Sequence, residues 1–345
     1  MLSAADDVRR AIDAGGGAIR FDEFVRLALY GEHGFYVGAR AGRAGRRGDF
    51  LTSPEVGPLF GAVIARALDE WWEDLSRPDQ FDVVEVGAGP GTLARAVLSA
   101  APSCASALRY TAVEISPVQR ALHPSGVESV AEFPKRDLTG VILANELLDN
   151  LPFRLFVYDD GWRESHIGYE NGQFVEHLVT SEILPTCLPA IASHGARAAV
   201  QDAARHWVES ALTSLTRGRV VAFDYCTTTA AMTTRPWRDW LRTYASHDRG
   251  SHYLLNIGQQ DITVEVAIDQ LPSASSVSPQ SQFLNRYGID VLIQEGKQMW
   301  RERADRPDLA AMKMRSRVNE AEALCDPSGL GGFSVLEWVA STTRQ

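Results

Sequence analysis

Cysteine is scarce in this chain and lysine scarcer. Of 345 residues only Cys104, Cys187, Cys226 and Cys325 are cysteine, far apart and with no C-x-x-C pair. That spacing argues against a disulfide scaffold or a thiolate metal centre, and no metal site is expected; reduced structural thiols fit. Lysine occurs three times against thirty-one arginines, an imbalance of the kind that genome composition produces. Basic residues are outnumbered 34 to 44, and the formal net charge of −10 argues against a general nucleic-acid surface. No apolar run reaches membrane-spanning length. The start, Met1-Leu2-Ser3-Ala4-Ala5-Asp6-Asp7, is acidic and lacks the apolar centre of a secretion signal. The expectation is a soluble cytoplasmic protein with no nucleic-acid or membrane partner; a homodimer is left open.

What is present is an ordinary globular composition, 45% apolar, long enough for one enlarged domain or two. The most informative stretch is Val83-Val84-Glu85-Val86-Gly87-Ala88-Gly89-Pro90-Gly91-Thr92. An apolar strand runs into a glycine-rich turn and then a helix, and a second strand, Tyr110 to Val113, ends at Glu114. This is the nucleotide half of an open α/β sheet, where glycines let a ligand approach the backbone and a carboxylate takes ribose hydroxyls. A dinucleotide site wants a third glycine where this chain has Thr92, and the Pro90-Gly91 step interrupts that motif. The spacing favours a nucleoside ligand without a pyrophosphate, with a nicotinamide enzyme as the alternative.

Periodicity predicts one or two amphipathic helices over 5–30, split at Gly15-Gly16-Gly17, and a glycine- and arginine-rich loop from Gly31 to Gly48. A helix capped by Ser53 is expected to run from Pro54 through Trp72. Strands are predicted at 82–86, 109–114, 127–132 and 140–145, with helices at 92–100 and 117–122. The turn signals Asp159-Asp160-Gly161 and Glu170-Asn171-Gly172 divide 153–179 into an antiparallel meander. A helix near 197–215, a strand at 220–224, a C-terminal helical stretch over 280–324 and a last strand at 333–338 complete the pattern. Segment 226–260 resists assignment, and Asp261 either opens a strand or caps a helix. The organisation expected is 1–78 as a helical and loop segment over the active site, 79–150 with 195–345 as the nucleotide domain, and 151–194 as the inserted meander, the substrate region.

Several separated motifs carry a resemblance. Leu29-Tyr30-Gly31-Glu32-His33-Gly34-Phe35-Tyr36, Gly48-Asp49-Phe50-Leu51-Thr52-Ser53-Pro54-Glu55-Val56, the glycine turn, Val113-Glu114-Ile115-Ser116-Pro117 and Ala144-Asn145-Glu146-Leu147-Leu148-Asp149-Asn150-Leu151-Pro152 occur in one order. Phe223-Asp224-Tyr225 and Gly258-Gln259-Gln260-Asp261-Ile262-Thr263 follow. Together they resemble the MidA-like methyltransferases, whose mitochondrial member is a complex I assembly factor that methylates protein arginine. The chain departs from that pattern at Cys226, where glycine is usual, at Pro90, and through much of 226–260.

The resemblance implies a Rossmann-like class I methyltransferase sheet using S-adenosyl-L-methionine. It implies cofactor contacts from Asp49, Thr52, Ser53, Glu85, Gly87, Ala88, Gly89, Gly91, Glu114, Ile115, Asn145 and Glu146. For Asp49 to Ser53, simple helix capping is an equal and compatible reading. The acceptor is a protein side chain, arginine by family, or a small molecule; a non-catalytic binding protein that retains the cofactor fold is the remaining alternative. A guanidinium is too basic to be neutral in water, and paired carboxylates could orient it, polarise one nitrogen and accept the released proton. Glu146 and Asp149 are the catalytic candidates, because an i, i+3 pair shares a face if a helical turn starts there; Asp149 as a turn cap is the competing assignment. His33, His247 and His252 are assigned no role.

Overall fold

The computed structural model describes residues 2–38, 52–245, 248–305 and 308–340. The chain divides into two units, one of residues 51–146, 211–224 and 274–345, the other of residues 1–50, 147–210 and 225–273.

Long uninterrupted apolar runs form parallel strands, because both faces of such a sheet are covered. In the first unit the buried strands of this kind are Phe81–Val86 (β1), Leu108–Val113 (β2), Leu138–Asn145 (β4) and Leu215–Asp224 (β5); the short, mostly exposed Glu128–Val130 (β3) lies at one edge, and Ser276–Pro279 (β6) and Ser334–Ala340 (β7) join the sheet. The order is β3-β2-β1-β4-β5-β7-β6. β7 runs antiparallel to both neighbours, while β3, β2, β1, β4 and β5 are mutually parallel. Strand order reverses between β1 and β4, so the carboxyl ends of these two strands flank the crevice where open α/β sheets hold ligands.

The predicted helix from Pro54 to Trp72 is instead two, Ser53–Val56 (α1) and Pro58–Asp74 (α2). Pro58 has no N–H to continue the first helix and is well placed to begin a second. Thr52, not Ser53, occupies the cap position, without a side-chain cap bond. Gly57 offers α2 no capping side chain either. Glu320 supplies the acceptor, taking the Leu59 N–H at 2.9 Å, and a Cβ on Gly57 would lie 2.3 Å from its carboxyl carbon. The apolar face of α2, including Phe60, Ile64, Leu68 and Trp71, is fully buried with Phe223 and Phe283. Burying one such side chain stabilises by about 1.5–3 kcal/mol.

Two glycines sit side by side in the sheet. Gly140 of β4 pairs with Gly218 of β5, at φ 151° and 135°. A Cβ on Gly140 would lie 1.9 Å from the Asp82 carbonyl oxygen, and one on Gly218 1.8 Å from that of Gly140.

The second unit holds the meander: Arg154–Tyr158, Trp162–Glu170 and Gln173–Thr180. Asn171 and Gly172 both take positive φ, 50° and 83°, as a tight two-residue hairpin requires. Two strands that the sequence reading missed complete this sheet. Ala18–Arg20 pairs with the middle strand, and Arg197–Val200 pairs with the first. Arg197–Val200 lies where a helix was expected, and only Asp202–Ser214 is helical there. Sheet pairing and burial of Ala198, Ala199 and Val200 override alanine's helix preference. β6 was missed as well. Asp261–Val264 resolves as a strand, paired with Leu241–Ala245. The unit's core collects Phe21, Phe24, Phe153, Trp240, Tyr253 and Ile262. Among the described residues no helix is long and apolar enough to cross a membrane.

Candidate functional site

The turn after β1 is bent by three left-handed glycines, Gly87, Gly89 and Gly91, at φ 71°, 52° and 73°, a region open to glycine at no steric cost. Its first amides, Gly87 and Ala88, donate to the Val113 carbonyl at 3.0 and 3.1 Å, tying the turn to the end of β2. Gly91 then caps Thr92–Ser99 (α3). The glycines differ in their surroundings. A Cβ on Gly91 would press on Pro124 at 2.9 Å, whereas one on Gly89 would meet nothing within 4 Å. Gly91 serves packing; Gly89 leaves a cradle open.

Glu114 follows β2, and two backbone amides hold its carboxylate. Gly89 N–H donates to Oε2 at 2.9 Å and Ser116 N–H to Oε1 at 2.8 Å. The Gly89 carbonyl accepts from His123 Nε2 at 2.9 Å, and Arg120 donates to the carbonyls of Glu114 and Ile115. Burial pushes the Glu114 carboxyl above its usual value, opposed by the two amides and by His123 and Arg120. Each oxygen keeps further acceptor capacity. Beside it Ile115 is 45% exposed, an apolar surface at the lip of a polar site.

At the end of β4, Asn145 Nδ2 donates to Glu146 Oε1 at 3.1 Å. Asn145 Oδ1 is buried with no hydrogen-bond partner among the described residues, a group that a ligand polar hydrogen would satisfy. Glu146 N–H extends the ladder to the Phe223 carbonyl at 2.8 Å, and its φ is 49°. The helical turn expected to set Glu146 and Asp149 on one face therefore does not begin at Glu146. A short 3-10 turn covers Leu148–Asn150 instead.

The first unit thus brings Gly87, Ala88, Gly89, Gly91, Glu114, Ile115, Asn145 and Glu146 to the carboxyl ends of adjacent strands. Glu85 is turned inward. Tyr110 OH donates to its Oε2 at 2.7 Å, and burial, partly offset by Tyr110 and the Ala94 N–H, pushes its carboxyl up to about 7. Ser53 is buried with its hydroxyl donating to Gln280 Oε1 at 2.9 Å, and Thr52 is half-buried before α1. Asp49, the loop arginines Arg40, Arg43, Arg46 and Arg47, and His247 lie outside the described residues. Missed in the sequence was His123, which no motif flagged.

The second unit holds a separate polar cluster. Asp149 is buried and accepts the Tyr225 hydroxyl. Asp261 accepts Tyr36 OH at 2.9 Å and Asn150 Nδ2 at 3.0 Å. Tyr30 OH donates to the Asn150 carbonyl at 3.2 Å, and the Tyr30 and Tyr36 rings stack 5.5 Å apart. Burial, then the charge of Asp261, raises the Tyr36 phenol well above its ordinary value. Tyr36, Asn150, Tyr225 and Asp261 had no assigned role in the sequence reading. Their only signal was their place in four of the quoted motifs. Elsewhere His33 bonds Asp7 at 2.8 Å and the His252 ring lies tilted against that of Tyr253 at 4.1 Å. The four cysteines form no disulfide, and no metal-binding group of side chains occurs among the described residues.

Residues 63–283 match the family model described as "Putative S-adenosyl-L-methionine-dependent methyltransferase". Among curated proteins, the chain is 40% identical over 83 residues to the Drosophila melanogaster mitochondrial protein arginine methyltransferase NDUFAF7 homolog, a match spanning 24% of this chain and 18% of that protein. It is 25% identical over 332 residues to the Homo sapiens mitochondrial protein arginine methyltransferase NDUFAF7, spanning 80% of this chain and 71% of the human one. A solved superfamily member from Burkholderia thailandensis, bound to S-adenosyl-homocysteine, superposes with a TM-score of 0.83 at 25% identity, covering 98% of this chain and 92% of its own. The class I methyltransferase sheet that the resemblance implied is observed, and its strands prove mixed in direction through β7. By its family match over well more than half its length, the chain belongs to the S-adenosyl-L-methionine-dependent methyltransferases.

Proposed function

We propose that this protein transfers a methyl group from S-adenosyl-L-methionine to a protein side chain, with arginine as the acceptor that the names of its curated relatives suggest. One observation carries the reading. A carboxylate fixed by two backbone amides stands beside an open glycine cradle at the point where strand order reverses. The residues present fit the cofactor. Glu114 has lone pairs left for ribose hydroxyls, Ile115 offers an apolar face to a base, and the bare Cα of Gly89 lets an amino-acid tail approach. Asn145 Oδ1 adds a buried acceptor in need of a hydrogen. When bound, the sulfonium supplies an electrophilic methyl carbon.

The chain's own work is then to position an acceptor nitrogen, exclude water and take a proton. Glu146, at the end of β4, is the carboxylate assigned to orient a guanidinium by charge-assisted hydrogen bonds and to hold the released proton at Oε. Asp149, the second candidate carboxylate, accepts the Tyr225 hydroxyl within the other unit and is assigned no step.

Calorimetric titration with S-adenosyl-homocysteine and with NAD tests the cofactor, and radiolabelled methyl transfer into lysate, fractionated into protein and small molecules, tests the acceptor. Binding of the homocysteine nucleoside and label in protein arginine are expected. Preferential binding of NAD would overturn the reading, and label confined to small molecules would reassign the acceptor to a metabolite. Glu146→Gln should abolish transfer while sparing nucleoside binding; unchanged turnover removes Glu146 from the mechanism.

A further inference from the structure

We infer that Glu55 is a positioning residue for the methyl-donor loop, acting through the hydroxyl of Thr92. This rests on the cofactor site proposed above. The loop from Gly87 to Gly91 is held at its start by the Val113 carbonyl and at its middle by Glu114. At its far end Gly91 caps α3 with no side chain to offer, and the next residue, Thr92, donates Oγ1–H to Glu55 Oε1 at 2.7 Å. A β-branched residue whose hydroxyl is engaged in this way has its single side-chain torsion fixed. The left-handed Gly91 directly before it is then held at one more point.

The strength of this anchor depends on Glu55 being rigid, and α1 has only four residues. Neighbouring bonds supply the rigidity. The Ser53 hydroxyl donates to Gln280 Oε1 at 2.9 Å, and Gln280 Nε2 donates in turn to the Leu324 carbonyl at 3.1 Å. The Glu55 and Val56 amides close the turn onto the Thr52 carbonyl at 2.9 and 3.2 Å. Just past α1, Glu320 meets Leu59 N–H and leaves no room for a side chain on Gly57. Glu55 is therefore a half-buried acid on a braced turn, and its charge near the start of α3 is favourable to the helix dipole. A loop preset in its bound shape binds more tightly than one that must be ordered by the ligand.

The test uses the full-length protein and S-adenosyl-homocysteine as the probe. Its dissociation constant, the donor KM, kcat and the melting temperature are measured for the wild type, Glu55→Gln, Glu55→Ala, Thr92→Ser, Thr92→Val and the Glu55→Ala/Thr92→Val pair. Glutamine still accepts and serine still donates, so those two variants should stay within about threefold of wild type. Glu55→Ala and Thr92→Val should each weaken the probe about tenfold, as loss of one hydrogen bond does. The double variant should be no weaker than either single, since both remove the same bond. Donor KM should rise with kcat at saturating donor unchanged. Lowered melting temperatures with the probe constant unmoved would overturn the inference. So would a Glu55→Gln loss equal to that of Glu55→Ala beside a neutral Thr92→Val, which would make the charge act on the ligand directly. A wild type that fails to bind the probe defeats the cofactor reading itself, a different failure seen at the first titration.

Discussion

The glycine loop and the cluster around Asp261 present polar groups in opposite ways. In the loop the working groups are main chain: amides of Gly87, Ala88 and Gly89, and bare Cα atoms, with Glu114 as the one carboxylate. In the cluster they are side chains: two carboxylates, three phenols and an amide, in bonds that cross from one chain segment to another. Short of proline, which removes an N–H, a substitution can only displace or cover a backbone group. A phenol can lose its oxygen and nothing else. Damage to the loop should therefore register in ligand affinity, and damage to the cluster in stability and turnover.

The largest expected effect comes from covering the cradle. Gly89→Val should weaken S-adenosyl-homocysteine by about a hundredfold or more, since its side chain enters the space that a ligand needs. Stability should fall by only about 1–2 kcal/mol, the strain of a left-handed non-glycine residue. Titration calorimetry beside urea unfolding separates the two; an affinity loss no larger than the stability loss implies would break the comparison. Next, Glu114→Gln should weaken the nucleoside about tenfold or more by removing a charged acceptor, without touching acceptor KM.

Glu85 sharpens the contrast, because it belongs to the loop's strand yet behaves as a core residue. Its folded value of about 7 lies above the usual 4.5. The folded state keeps the proton that the unfolded chain releases. This contribution to stability is full below about pH 4.5 and is lost as pH rises through about 7, at up to about 1.4 kcal/mol per pH unit. Denaturant melts from pH 5 to 8 should show this slope in the wild type and its absence in Glu85→Gln. The smallest effect belongs to the cluster. Tyr36→Phe should lose about 1 kcal/mol of stability, the net worth of one hydrogen bond. Its affinity for S-adenosyl-homocysteine should stay within about twofold.

The nucleotide sheet was legible because each of its main strands is an apolar run long enough to identify itself, and because the bend after Val86 is written in glycines. In the second unit the meander was legible from its turns, and the strands that complete its sheet were not. Its sheet borrows Ala18–Arg20 and Arg197–Val200 from distant parts of the chain. Segments of three and four residues carry too little pattern to announce a strand, and only their partners make them one. Glu85 illustrates a finer limit. The motif names the residue but not its direction, and the carboxyl is buried against Tyr110. Tyr36 and Asp261 were visible as motif letters, 225 positions apart, and only folding brings them within a hydrogen bond.

Gly140 and Gly218 carry a practical warning for anyone surveying this chain by mutation. Neither is in the glycine turn, yet the close approach of neighbouring carbonyls forbids even a methyl group at either position. A screen scored by growth or turnover would rank them with Gly89 and draw the map of the catalytic centre too wide. Paired assays, one for heat resistance and one for nucleoside uptake, would return them to the scaffold.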